Sequence, residues 1–319
     1  MPDFVGLCGW VPNPQGVEDY LNDPKNKHPI FAAAGQNVIR TYTQADTFLY
    51  EPLIQCKPNY QRAAQGIGDC VSWGCELGCT VLVAKGVLKA GNIAQFCEIA
   101  TEPIYGGARV EENGGQPGGY QDGAYGAAAA KFLREFGAAF RKDYSKQTGN
   151  PEHDLRVYDS KRAKAWGNFG CGGQSDKGKL DAITREFPCK TTTQVGSFED
   201  VAAAIAGSKC PVTIASDYGT DMVRDKDGFC RWNARWPHQM VLIGVRFGAR
   251  PGALCAQSWG PNVAKGPHFP ETMPANIRGF TWWIPAADVD RICKTGDCHA
   301  LGDIDGWKID EFDWNELWG

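Results

Sequence analysis

The spacing of apolar positions divides the chain into a helical first half and a strand-rich second half. Leu77, Val81, Leu82, Val83 and Leu88 follow Cys70 at helical spacing and predict a central buried helix with a wide apolar face. Residues 124–143 carry Ala127 to Ala130, Phe132, Leu133, Phe136 and Phe140 at the same spacing and predict another helix. A short helix is expected over 198–206, and apolar runs at 211–215, 240–245, 253–257 and 279–284 predict strands. An earlier strand is expected at 37–43. Residues 1–60 are otherwise turn-rich, broken by Pro12, Pro14 and Pro24, and the glycines of 105–123 predict an exposed loop. Helices first and strands later make an α+β protein with a helical lobe and a sheet lobe.

Composition narrows this picture only a little. A length of 319 residues accommodates one large domain or two lobes, and 43% hydrophobic with 22% charged residues is ordinary for a globular chain. A net charge of −4 and a pI near 5.8 give no general attraction to nucleic acid or anionic membrane, so neither is expected as a partner. No run of about 18 consecutive apolar residues occurs, so no spanning helix is expected. The first residues lack a basic region followed by an apolar core, so no secretory signal is read. The expected location is the cytoplasm or a particle. Thirteen cysteines fit one reactive thiol plus disulfide pairs, and fit a fully reduced chain equally well.

Candidate chemistry comes from three separated segments. Gln65-Gly66-Ile67-Gly68-Asp69-Cys70 leads into the central helix, Pro237-His238-Gln239 leads into an apolar strand, and Gln257-Ser258-Trp259-Gly260 closes another. A thiol is a useful nucleophile only as thiolate, so it needs a base beside it and a group that orients the base. Cys70 falls at a helix N-terminus, where the dipole favours thiolate, and Asp69 is placed to cap that helix. His238 alone among the five histidines precedes a long apolar strand. Cys-x-x-Cys and His-x-x-His spacings are absent, so neither a metal nor a cofactor is expected.

These segments, in this order, resemble papain-like cysteine peptidases. The Cys-to-His interval of 168 residues is somewhat longer than that pattern and implies an insertion. The resemblance implies two lobes with the cleft between them, the sheet lobe barrel-like, and a peptide or protein substrate. It makes Cys70 the nucleophile, His238 the base and acid, and Gln257 the orienting amide in place of the family's usual Asn. Trp259 would shield that amide, and Gln65 would hold the oxyanion, with Gln61 as a second choice. Gln65 lies five residues before Cys70 where the family has six, and Val71 replaces the family's usual residue after the nucleophile. Gly170-Cys171-Gly172-Gly173 resembles, one residue short, the family motif whose glycines line the substrate cleft, which would place Gly172 and Gly173 there; it reads equally well as a Gly-rich turn.

The implied organisation is an N-terminal extension over 1–54, a helical lobe over 55–194 with an insertion at about 97–165, a sheet lobe over 195–300, and a tail over 301–319. Residues 1–50 lack the long charged helix of the usual inhibitory propeptide, which resembles bacterial and phage members. The tail interleaves Trp307, Trp314 and Trp318 with acids and is expected to dock a protein partner. Three other functions stay open, of which a metal-binding structural module is the least supported. Gly-x-Cys-x-x-Trp also resembles the nucleophile segment of CHAP-type cell-wall amidases and endopeptidases. The Gln257 and spacing departures also permit a non-catalytic papain-like protein used for assembly, for instance in a virus or phage particle.

Overall fold

The computed structural model describes residues 6–31, 42–115, 121–176, 178–302 and 304. The main helices are α1 (Pro14–Leu21), α2 (Tyr50–Cys56), α3 (Cys70–Lys89), α4 (Thr101–Arg109), α5 (Gly126–Glu135), α6 (Ser160–Phe169) and α7 (Ala286–Cys293). The strands are β1 (Thr47–Phe48), β2 (Thr192–Gln194), β3 (Val212–Thr220), β4 (Trp232–Arg246), β5 (Gly252–Ala256), β6 (Thr281–Pro285) and β7 (Cys298–Leu301). They form one antiparallel sheet in the order β2-β7-β3-β4-β5-β6, with β1 added on β4. The class is α+β, as the patterning predicts. The sheet stays open rather than closing into the barrel-like form.

Helix α3 joins two cores, which explains why its apolar positions wrap the whole cylinder. Leu77, Val81 and Ala84 pack into the core of the sheet. Cys75, Cys79, Leu82 and Val83 pack into the core of the helical lobe with Ile99, Ile104 and Leu133. By length and composition α3 is apolar enough to cross a membrane, but it runs through the protein interior. Two glycines let it approach the sheet. A Cβ on Gly74 would lie 3.1 Å from both the Gln239 Cγ and the Met240 carbonyl, and one on Gly78 would lie 2.7 Å from Leu301 Cδ1.

The stretch from 101 to 140 is more regular at one end and less at the other than its sequence suggests. Residues 101–109 form α4, not the start of a glycine loop. Gly106 and Gly107 serve packing there, since a Cβ on Gly107 would fall 2.0 Å from the Phe132 ring. Helix α5 stops at Glu135 because Gly137 turns at a φ of 79°. Phe140, expected on that helix, lies beyond its end and pairs with Ile99 as an isolated bridge. The 198–206 segment starts as an α-helix over Phe198–Ala202 and widens into a π-turn over Ala203–Gly207. Strands β3 and β4 run longer than their apolar runs. Of the strand expected at 37–43, residues 37–41 lie outside the described residues and Tyr42 and Thr43 are not in a strand; the tail from 305 onward also lies outside the described residues.

Candidate active site

Cys70 and His238 arrive from opposite cores. Cys70 is the first residue of α3, where the first backbone amides have no partner within the helix. His238 lies on β4, opposite Ser216 of β3, at the point where the strand passes under α3. From Trp232 to Pro237 β4 is alternately exposed, and from His238 inward it is buried on both faces. The next residue makes the joint: the Gln239 backbone amide donates to the Cys70 sulfur at 3.4 Å. The Gln239 side chain donates to the Val71 carbonyl at 3.0 Å and to the Cys75 sulfur at 3.5 Å.

The thiol and imidazole do not hydrogen-bond each other here. Both are fully buried, and neither ring nitrogen of His238 has a hydrogen-bond partner. Burial pushes the Cys70 thiol up to about 12, against the pull of the Gln239 and Gly9 amides. Burial, and then the Arg62 guanidinium, pull His238 down to about 3. Both groups are therefore neutral at pH 7.

Trp259 stacks on the His238 ring, with centroids 4.2 Å apart and planes at 23°. Gln257 does not reach His238 directly. Its amide nitrogen donates to the Gly260 carbonyl at 2.9 Å, and its oxygen accepts from the Trp259 backbone amide. The extra methylene relative to Asn lets the amide fold back on its own turn. Gln257 thus bears on the imidazole through Trp259.

Gln65 stands beside this turn, because its backbone amide donates to the Ser258 carbonyl at 2.8 Å and its side-chain oxygen accepts from the Ser258 hydroxyl. Its NH2 group donates to the Leu7 carbonyl at 2.6 Å and the Ile67 carbonyl at 2.8 Å. A carbonyl oxygen is the kind of group an oxyanion donor serves. Gln61 borders a separate cavity with Tyr60, Trp73 and Glu76.

Leu7 belongs to a strap over residues 6–11 that covers the site. A Cβ on Gly9 would fall 1.7 Å from the Gly68 carbonyl oxygen, so only glycine permits this approach. The Trp10 backbone amide donates to the Pro237 carbonyl at 3.0 Å, one residue from His238. The Trp10 indole donates to Asp297 at 2.7 Å, and Gly9 and Val11 pair with Ala124. Nothing in the composition of 1–60 signals this placement.

Asp69 does not cap α3 with its side chain. Trp73 donates to one carboxylate oxygen at 3.1 Å and Tyr158 to the other at 2.9 Å, while the Asp69 carbonyl takes the Ser72 amide at 3.0 Å. Burial raises its carboxyl to about 8, so it is neutral at pH 7, and its charge, once formed, raises the Cys70 thiol further.

Arg62 was not singled out by sequence. It donates to the Gln257 carbonyl at 2.7 Å, the Trp73 carbonyl at 2.8 Å and Glu76 at 3.0 Å, tying α3 to the Gln257 turn. The available signal was Glu76, an acid within the apolar run of α3. Gly172 and Gly173 sit in a turn fixed by His153 on the Gly172 carbonyl at 2.8 Å and packed against Asp176 and Trp166. All thirteen cysteines are free thiols, and among the described residues no three His, Cys, Asp or Glu side chains gather as metal ligands.

No protein-family model matches the chain, and no curated protein matches it in sequence. Solved structures do match it in fold. Xylellain, a cysteine protease from Xylella fastidiosa, superposes with a TM-score of 0.57 at 16% identity, over 94% of this chain and 97% of that one. The proform of the ragweed pollen cysteine protease Amb a 11 gives 0.54 at 12% identity, over 95% and 76%. Procathepsin B from Trypanosoma congolense gives 0.52 at 12% identity, over 93% and 91%. The chain has the papain-like cysteine peptidase fold.

Proposed function

We propose that the chain is a cysteine peptidase that cleaves peptide bonds through an acyl-enzyme, with Cys70 as nucleophile and His238 as base and acid. The observation that carries this reading is the seating of Cys70, at the start of α3, on the His238–Gln239 step of β4, sulfur to Gln239 amide 3.4 Å. The likeness in fold to several cysteine proteases supports it.

In the reaction, the Cys70 sulfur adds to the carbonyl carbon and its proton passes to His238. The Gln65 NH2 and the Cys70 amide hold the oxyanion. The C–N bond breaks as His238 returns the proton to the leaving amine. Water, deprotonated by His238, then releases the acid and restores the thiol. Trp259 holds the imidazole face, and Gln257 holds Trp259.

The strap must leave first, because Leu7 occupies Gln65 and residues 7–10 cover Cys70. Removing residues 1–12 should therefore raise hydrolysis of an unfolded protein such as casein, and Cys70→Ala should abolish it. Hydrolysis that survives Cys70→Ala would overturn the assignment. A second reading, a papain-like scaffold without catalysis, is favoured by one observation: both ring nitrogens of His238 are unpaired and no side-chain amide orients them. Absence of hydrolysis after strap removal, with the fold intact, would favour that reading.

A further inference from the structure

Gly9 and Trp10 are buried where the strap runs through a slot beside Cys70. One wall of the slot is Gly68, whose carbonyl a Cβ on Gly9 would overlap. The other wall is the segment leading into α5, where a Cβ on Gly123 would lie 2.9 Å from the Gly9 carbonyl oxygen. The two walls touch each other, since a Cβ on Gly68 would lie 3.0 Å from the Asp122 Cβ. Two buried side chains of α4 fix the second wall: the Gly123 amide donates to the Tyr105 hydroxyl at 2.9 Å, and the Gly123 carbonyl accepts from Arg109. The slot therefore has little room to widen.

Backbone groups hold the strap in this slot. The Ala124 amide donates to the Gly9 carbonyl at 2.8 Å, the Val11 amide donates to the Ala124 carbonyl at 3.0 Å, and Trp10 forms a parallel bridge with Ala124. On either side of Gly9, Gln65 holds the Leu7 carbonyl at 2.6 Å and the Pro237 carbonyl takes the Trp10 amide at 3.0 Å. Main-chain pairing of this kind accepts an extended peptide whatever its side chains, and it fixes the register. In that register a residue passing Gly68 cannot carry a Cβ without breaking the pairing.

We propose that the cleft, once the strap is withdrawn, selects extended peptides that carry glycine at the position passing Gly68 and pair through their backbone with Ala124. The strap is the internal occupant of the same subsite. Where the glycine falls relative to the cut bond rests on the reading of Cys70 as nucleophile. The Gly9 amide donates to the Cys70 sulfur and the Leu7 carbonyl lies on Gln65, so the glycine stands within two residues of the bond that is cut.

Two fluorescent peptides of residues 6–12, both with Cys8→Ser and one also with Gly9→Ala, test the slot by anisotropy. The receptor is the full chain carrying Gly9→Ala, to lift its own strap, and Cys70→Ala, to prevent cleavage. A second receptor carries Trp10→Ala/Cys70→Ala, which loosens the strap by removing the indole bond to Asp297, so the result does not hang on one variant. The glycine peptide should bind saturably, and the alanine peptide at least about tenfold more weakly. Equal binding of both peptides, or binding of neither, would overturn the slot. So would a Gly9→Ala chain whose Cys70 alkylates no faster than wild type, because the slot would then hold a side chain. Catalysis is read separately, by sequencing the cuts that the Gly9→Ala chain with Cys70 intact makes in a peptide library. Glycine enriched at one fixed position within two residues of the cut is expected. Cys70-dependent cuts without that enrichment would overturn the slot and leave the peptidase reading standing. Selective binding with no cuts would overturn the peptidase reading and leave the slot.

Discussion

Asp69 and Cys70 are consecutive, and burial drives both toward their neutral forms. For Asp69 the consequence is a pH-dependent stability of definite sign. The unfolded carboxyl loses its proton near 3.8 and the folded one near 8, so between those values the folded state holds one more proton. Stability from this group therefore falls as pH rises through that window and is flat above it. Relative to Asp69→Asn, wild type should lose up to about 1.4 kcal/mol per pH unit between pH 5 and 8 and no more above 8. Urea denaturation of both proteins at each pH measures this, and parallel profiles would refute a neutral Asp69. Gln257 acts on His238 only through Trp259, so Gln257→Ala should reduce peptide hydrolysis by about tenfold, far less than the loss on removing His238. Kinetics on strap-truncated protein would show the difference, and an equal loss would mean that Gln257 contacts the imidazole directly.

At the scale of elements, the strap over residues 6–11 sets whether the site is accessible. Gly9 leaves no room for a side chain against Gly68, so Gly9→Ala should lift the strap. The expected outcome is alkylation of Cys70 by iodoacetamide at least about tenfold faster than in wild type, with Cys230 in the sheet core unchanged as an internal reference. Peptide mapping by mass spectrometry gives both rates, and unchanged Cys70 labelling would show that the strap does not limit access.

Elements with a clear period were legible from sequence. Helix α3 and the inner half of β4 bury runs of apolar residues, and their patterns state as much. Helix α4 was hidden because glycines read as a loop, whereas Gly106 and Gly107 serve close packing against the carbonyl of Gly170 and the ring of Phe132. The strap was hidden because backbone groups and one tight glycine contact hold most of it, and these leave no periodic signal. Cys70, His238 and Trp259 stood out through their flanking residues. The positions of the Gln257 amide and the Asp69 carboxylate were not legible, because both depend on partners that only the fold brings near.

Across the whole molecule, α3 makes the two lobes depend on each other. Its Leu77 faces the sheet core and its Cys79 the helical core, so loosening the helix on one side releases both. Leu77→Ala should cost about 2–5 kcal/mol. It should also leave a single unfolding transition when followed by far-ultraviolet dichroism and by tryptophan fluorescence. Two separated transitions would mean that the lobes fold independently of α3.

The central claim is that Cys70 and His238 form a working nucleophile–base pair once the strap is withdrawn. Its most direct measurement is active-site labelling of the chain lacking residues 1–12 with a peptidyl aldehyde or fluoromethyl ketone, read by intact and peptide mass spectrometry. The account predicts one adduct per chain, located on Cys70, formed faster near neutral pH than with any other thiol, and lost in His238→Ala. An adduct spread over several cysteines, or one on Cys70 that forms equally fast without His238, would contradict it.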